Sequence, residues 1–126
     1  MTIQIKRAYD PPAKEDGPRF LVDRLWPRGV KKEALSIEEW CKKVAPSNEL
    51  RRWFAHDPAK WEKFEHRYRE ELDARPEAWK SLLEAAAGEK RITLLYSAHD
   101  EEHNNAVVLR DYLVEHRQSR RHQFSK

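Results

Sequence analysis

Glycine, cysteine and methionine are scarce in this 126-residue chain, at three, one and one residues respectively. The glycines stand far apart, at positions 17, 29 and 88, so no glycine-rich loop of the kind that cradles a dinucleotide or a triphosphate is present. With Cys41 as its single cysteine the chain can form no internal disulfide and must hold together through its own core. No run of about 18 apolar residues occurs, which excludes a membrane-spanning helix. The opening Met1–Lys6 passes straight into strand-like alternation rather than an apolar leader, and the chain is expected in the cytoplasm. A general excess of positive charge is missing too. The formal net charge is +3, but residues 117–126 hold Arg117, Arg120, Arg121 and Lys126 and no acid. Without those four, 21 basic residues face 22 acidic ones, a net −1 for residues 1–116. Such a body gives nucleic acid no broad basic face, so nucleic acid is not the expected partner.

What is there reads as one α/β domain over residues 1–116, followed by a basic tail, 117–126, expected to fray. Ile3 and Ile5 alternate with polar neighbours as in a first strand. A turn-rich connection, Asp10–Pro18, leads to a second strand over residues 19–23. Ser36, with Glu39 three positions on, predicts a capping box and a short helix burying Ile37, Trp40, Cys41 and Val44. Ser47 is placed to cap the next helix, which carries Leu50, Trp53 and Phe54 on one face. Asp57-Pro58 starts a third helix with Trp61, Phe64, Tyr68 and Leu72 as its stripe, and Pro76 starts a fourth that ends before Gly88. Residues 92–96 form the most hydrophobic strand, expected at the centre, and a last helix spans about His103 to His116. Strands separated by helices predict a small, mainly parallel sheet covered by helices. Strands 19–23 and 92–96 should be parallel neighbours, while the pairing of the first two strands stays open.

Three segments carry a family resemblance. They are Val22-Asp-Arg-Leu-Trp-Pro-Arg-Gly29, Ala45-Pro-Ser-Asn-Glu-Leu-Arg-Arg-Trp-Phe-Ala-His-Asp-Pro58 and Thr93-Leu-Leu-Tyr-Ser-Ala-His-Asp-Glu-Glu-His-Asn104. In this order they resemble the YeaO-like family, domain of unknown function 488. The resemblance runs from about Ile5 to Leu113 and implies a compact α/β domain, without implying an activity. Longer members of the wider family carry cysteines after the last strand. Tyr96–Asn105 here has none, so thiol chemistry does not carry over to this stretch.

The residues themselves point to an anion site. Arg24 and Arg28 follow the second strand, where open α/β sheets bind ligands, and Arg51 lies early in the helix capped by Ser47. Guanidinium groups, a cap hydroxyl and free helix amides suit a phosphate or carboxylate. In the structural alternative these arginines pair with carboxylates or stack on Trp26. His56, beside Asp57, is a candidate for proton transfer, with Asp23 and Asp100 as further candidates. Asp57 already has a role as helix cap, and Asn104 is placed to orient a polar group. His99-Asp-Glu-Glu-His103 imitates a zinc-hydrolase pattern, but Asp stands where the catalytic Glu belongs and the segment begins at a strand end. Neither a metal nor a cofactor is expected. The reading that results is a protein that binds a small anionic molecule in an arginine-lined pocket, with turnover left open. The alternative is a non-enzymatic interaction domain that contacts RNA through the basic tail.

Overall fold

The computed structural model describes residues 1–124, and the side chains of residues 1–117. The chain runs β1 (Thr2–Arg7), β2 (Arg19–Leu21), α1 (Lys32–Leu35), β3 (Glu39–Trp40), α2 (Asn48–Phe54), α3 (Trp61–Ala74), α4 (Pro76–Ala85), β4 (Arg91–Tyr96) and α5 (Asn105–Phe124). The sheet order is β1-β4-β2-β3 and every pairing is parallel. β4 is therefore central, and β1 and β2 do not pair with each other. Thr2 to Arg7 lie opposite Arg91 to Tyr96, and Arg19 to Leu21 lie opposite Thr93 to Leu95.

Period-two alternation divides the sheet into two faces. Phe20, Ile92, Leu94 and Tyr96 join the main core with the buried stripes of α2 to α5. Leu21 and Leu95 point the other way, onto Leu35 of α1, Ala8, Trp26 and Trp40. The stripe expected for α3 is buried at Phe64, Tyr68 and Leu72, and α4 buries Trp79, Leu82 and Leu83. Ser47 caps α2 by accepting from Leu50 N at 3.1 Å. Asp57 accepts from Ala59 N at 3.0 Å and starts a 3-10 turn, Pro58–Lys60, that leads into α3. Among the described residues no helix is long and apolar enough to cross a membrane.

The helix expected after Ser36 is not formed. Ser36 instead follows the C-terminus of α1, with φ at +50°, and Glu39–Trp40 is an edge strand. The unpaired edge of β2 decides this. Glu38 N donates to Arg19 O at 2.7 Å and Cys41 N to Leu21 O at 2.8 Å. A ladder that satisfies buried backbone groups outweighs one local capping box. The last helix also differs from expectation, starting at Asn105 and ending at Phe124. The expected fraying of the tail rests largely on residues 118–126, whose side chains lie outside the described set, and the alternative RNA contact rests on the same residues.

Before β2 the chain turns at Gly17, where φ is +63° and a Cβ would stand 2.1 Å from the carbonyl oxygen of Arg91. Both the conformation and the close approach require glycine. Gly17→Ala is expected to cost about 1–3 kcal/mol, read as a lower midpoint in urea.

Candidate functional site

The loops leaving β2 and β4 open on the same side, as parallel neighbours must. Between them and α2 lies a cavity of about 630 Å³, lined by Asp23, Arg24, Trp26, Arg28, Arg51, Phe54, His56, Phe64, Ser97, His99, Asp100, Asn104 and Asn105 among others. Arg24 and Asp100 thus share one mouth, as the predicted strand pairing requires. Of the sequence-predicted residues, Asp23, Arg24, Arg28, Arg51, His56, Asp100 and Asn104 line the cavity, and Ser47 does not.

Asp23 is the acid at the floor. Its Oδ2 accepts from Ser97 N at 2.9 Å and its Oδ1 from Asn105 Nδ2 at 3.1 Å. Burial pushes its carboxyl above the ordinary 3.8, opposed in part by Asn105, by Ser97 and by the charge of His56. Trp40 Nε1 donates to the Asp23 carbonyl at 2.8 Å, which ties this loop to β3.

The three arginines differ in how they are held. Arg24 donates from Nε to Pro46 O at 3.2 Å and from Nη2 to Ala45 O at 3.5 Å, so carbonyls orient it without neutralising it. Arg51 donates from Nη2 to Asn48 Oδ1 at 3.3 Å, while its buried Nε has no partner. The Arg28 side chain is exposed at the rim, and its carbonyl accepts from Tyr9 Oη at 3.2 Å. No ion pair among the described side chains involves any of the three. The carboxylate partners of the structural alternative are therefore not found.

Ser47 is placed elsewhere because another carboxylate has taken its position. Ser47 Oγ donates to Glu71 Oε2 at 2.6 Å and Ser47 N to Glu71 Oε1 at 2.8 Å. The start of α2 is closed by this internal anion and has no free amide cradle for a ligand. Glu71 is half-buried in this role.

Asp100 accepts from the amides of Glu102 and His103, each at 2.9 Å, and its Oδ2 lies 2.9 Å from His103 Nδ1. The His103 amide, the Glu102 amide and the imidazole hold its carboxyl below the ordinary 3.8. Such a carboxylate keeps its charge and is poorly suited to donate a proton. Asn104 is likewise committed to its own loop, donating to Asp100 O at 2.9 Å and accepting from Val107 N at 3.1 Å to cap α5. His99 and His103 do not share a helix face, since α5 begins only at Asn105. His99 lies 3.4 Å from Arg7 Nη2 and lines the cavity, while His103 packs edge-on to Trp61. Among the described residues no group of three or more His, Cys, Asp or Glu is placed to hold a metal ion.

His56 sits exposed at the mouth on strained backbone. Ala55 and His56 have φ of +47° and +58°, consecutive left-handed residues without glycine. Each costs on the order of 1 kcal/mol, and strain of this kind gathers where a side chain is being aimed.

Sequence reasoning missed Ser97, Asn105, Tyr9 and Glu71. Ser97 directly follows the apolar run of β4, and Asn105 is the second of two adjacent asparagines at a helix start. Both signals are local, but their convergence on Asp23 is not.

With this geometry in place, the class is a small parallel α/β domain with a cavity at the carboxyl ends of its strands. The chain belongs to the YeaO-like family: residues 2–126 match the family described as the inactive DUF488-N3 subclade. It is 45% identical to the uncharacterised protein YeaO of Escherichia coli over 113 residues, which cover 90% of this chain and 97% of that protein. It is 46% identical over 70 residues to uncharacterised proteins of Mycobacterium bovis and Mycobacterium tuberculosis, covering 56% of this chain and 59% of each of those. No solved structure matches.

Proposed function

We propose that this domain binds a small anionic molecule, bearing a phosphate or a carboxylate, in the cavity between the β2 and β4 loops. The observation that carries the reading is the convergence of Arg24, Arg28 and Arg51 on one cavity without a carboxylate partner among the described residues. The acids beside them are engaged elsewhere: Asp23 accepts from Ser97 N and Asn105 Nδ2, and Asp100 from the amides of Glu102 and His103, and neither forms an ion pair with these arginines among the described side chains. An anion entering there trades water for charge-assisted hydrogen bonds, the stronger kind in a cavity walled by protein.

Binding rather than turnover is the stronger form of this reading. The family description names an inactive subclade. Of the proton-transfer candidates, Asp100 is engaged by the amides of its own loop and by His103, while Asp23 and His56 line the same cavity. The free buried thiol of Cys41 suits a reducing compartment, which supports placing the protein in the cytoplasm.

The test is calorimetric titration with inorganic phosphate and with small mono- and dicarboxylates, on the native chain and on rim variants. Arg28→Ala is expected to weaken binding severalfold at low salt, less at high salt, because an exposed charge is screened. Arg28→Lys is expected to weaken it too, since an ammonium cannot form the bidentate contact. Both should leave the melting temperature unchanged. Unchanged affinity with a large fall in melting temperature would mean that Arg28 only clamps its loop.

A further inference from the structure

We infer that the ligand of this cavity is an anion carried on a planar ring, such as an aromatic phosphate or carboxylate or a nucleoside monophosphate. The inference rests on the anion-binding reading and goes on to name the rest of the molecule.

Size is the first argument. Cavities of about 300–1,000 Å³ enclose ligands far larger than one oxyanion. At about 630 Å³ this one would be left mostly empty by phosphate or acetate alone.

The second argument concerns apolar surface. Tyr9 and Leu25 are the exposed large hydrophobic residues among those described, at 44% and 58%, and both belong to the rim of this cavity. Neither is placed there by packing. Tyr9 is held by its hydroxyl on the Arg28 carbonyl, with the Arg7 guanidinium 5.1 Å from its ring centroid. Leu25 is the residue between Arg24 and Trp26 in the loop after β2. Apolar surface confined to the mouth of a pocket marks contact with a ligand rather than scattered exposure. Deeper in, Trp26, Phe54 and Phe64 add aromatic surface to the same walls.

Polar groups supply the third. Arg24 and Arg51 line this cavity, and neither guanidinium meets a carboxylate among the described side chains. A guanidinium offers its N–H groups to an anionic oxygen. A bare oxyanion would serve Arg51 and leave the rings wet. A purely apolar molecule would cover the rings and leave the guanidiniums bare. A flat ring bearing an anion meets both needs, because guanidinium planes and aromatic faces stack on rings and have no such preference for saturated ones.

The experiment compares methyl phosphate, cyclohexyl phosphate and phenyl phosphate by calorimetry on the full chain, with benzoate and uridine 5′-monophosphate as further probes. Phenyl phosphate is expected to bind at least ~10-fold more tightly than methyl phosphate and more tightly than cyclohexyl phosphate. Tyr9→Ala, a rim change that spares the core, should reduce the ratio of phenyl phosphate affinity to methyl phosphate affinity. Whichever of phenyl phosphate and benzoate binds better identifies the anionic group, and tighter uridine 5′-monophosphate would identify a nucleotide as the source of the ring. Equal affinities for methyl and phenyl phosphate, or a preference for cyclohexyl, would overturn this inference while leaving the anion site standing. Failure of every anion to bind would overturn the anion site itself.

Discussion

Asp16→Ala is expected to lower the stability of this domain by about 3–5 kcal/mol, or roughly 10–20 °C in melting temperature for a chain of this size. Asp16 and Arg19 are 2% and 4% exposed, and Arg19 Nη1 donates to Asp16 Oδ2 at 2.6 Å. The remaining acceptor capacity of Asp16 is used as well. Its Oδ2 accepts from Ala13 N at 3.0 Å, its Oδ1 from Gln4 Nε2 at 3.1 Å, and Lys6 Nζ lies 3.1 Å away. Without Asp16, the Arg19 guanidinium keeps only the Leu35 carbonyl at 3.1 Å, and its Nη2 is already unpaired. A buried charge that loses its counter-ion is the costly case. If the loss comes from the stranded charge rather than from packing, Asp16→Leu combined with Arg19→Met should recover much of it. A double variant as unstable as the single one would argue against that cause.

The same pair sets an acid-side dependence on pH. Burial alone would raise the Asp16 carboxyl, but the Ala13 amide, Arg19 and Lys6 outweigh it, so the folded value lies below 3.8. A group depressed in the folded state stabilises fully above its unfolded value, and that contribution is lost as the pH falls through the folded value. Acid unfolding of the native chain should therefore be steeper below about pH 4 than that of Asp16→Ala. Asp23 acts with the opposite sign. Its folded value is raised, so it disfavours folding as the pH climbs past 3.8, and that opposing slope should persist in the Asp16 variant.

Arg51→Met is expected to lower anion affinity by about 10–100-fold and to leave the unliganded protein as stable or slightly more so. The two effects separate because Arg51 contributes little to the fold. One nitrogen reaches Asn48, and the buried Nε has no partner to lose. An isosteric apolar chain removes an unsatisfied donor and keeps the packing of its methylenes. Arg51→Lys should also bind weakly, for lack of a planar fork. Melting curves with and without phosphate, together with titration, check both halves. A large loss of stability with unchanged affinity would assign Arg51 to the scaffold and count against the site.

The legible part of this protein was the local part. Residues 92–96 read as a strand from their apolar run, and Ser47, Asp57 and Pro76 marked helix starts because caps act within three residues of themselves. The buried stripe of α3 followed from helical spacing. Ser36 misled for the same reason: its capping box is a valid local signal, and only the empty edge of β2 turned Glu39–Trp40 into a strand. The site divides along the same line. Arg24, Arg28 and Asp100 were legible because a polar loop after an apolar strand has a known place in a parallel sheet. Glu71 was not, because it reaches Ser47 across 24 positions of sequence.

By itself the sequence determined the class of fold, the central strand, the starts of α2 and α4 and the end of the sheet where the loops after β2 and β4 meet. These follow from periodicity, capping and the handed connections of parallel strands, which depend on neighbours in the chain. Tertiary structure alone decided the edge strand β3 and the buried Asp16–Arg19 pair, and placed Ser97 and Asn105 on Asp23. It also set Glu71 against the hydroxyl and amide of Ser47 at the start of α2. Each of these rests on satisfying a buried charge or backbone group with a partner far away in sequence, and such a partner is chosen by packing.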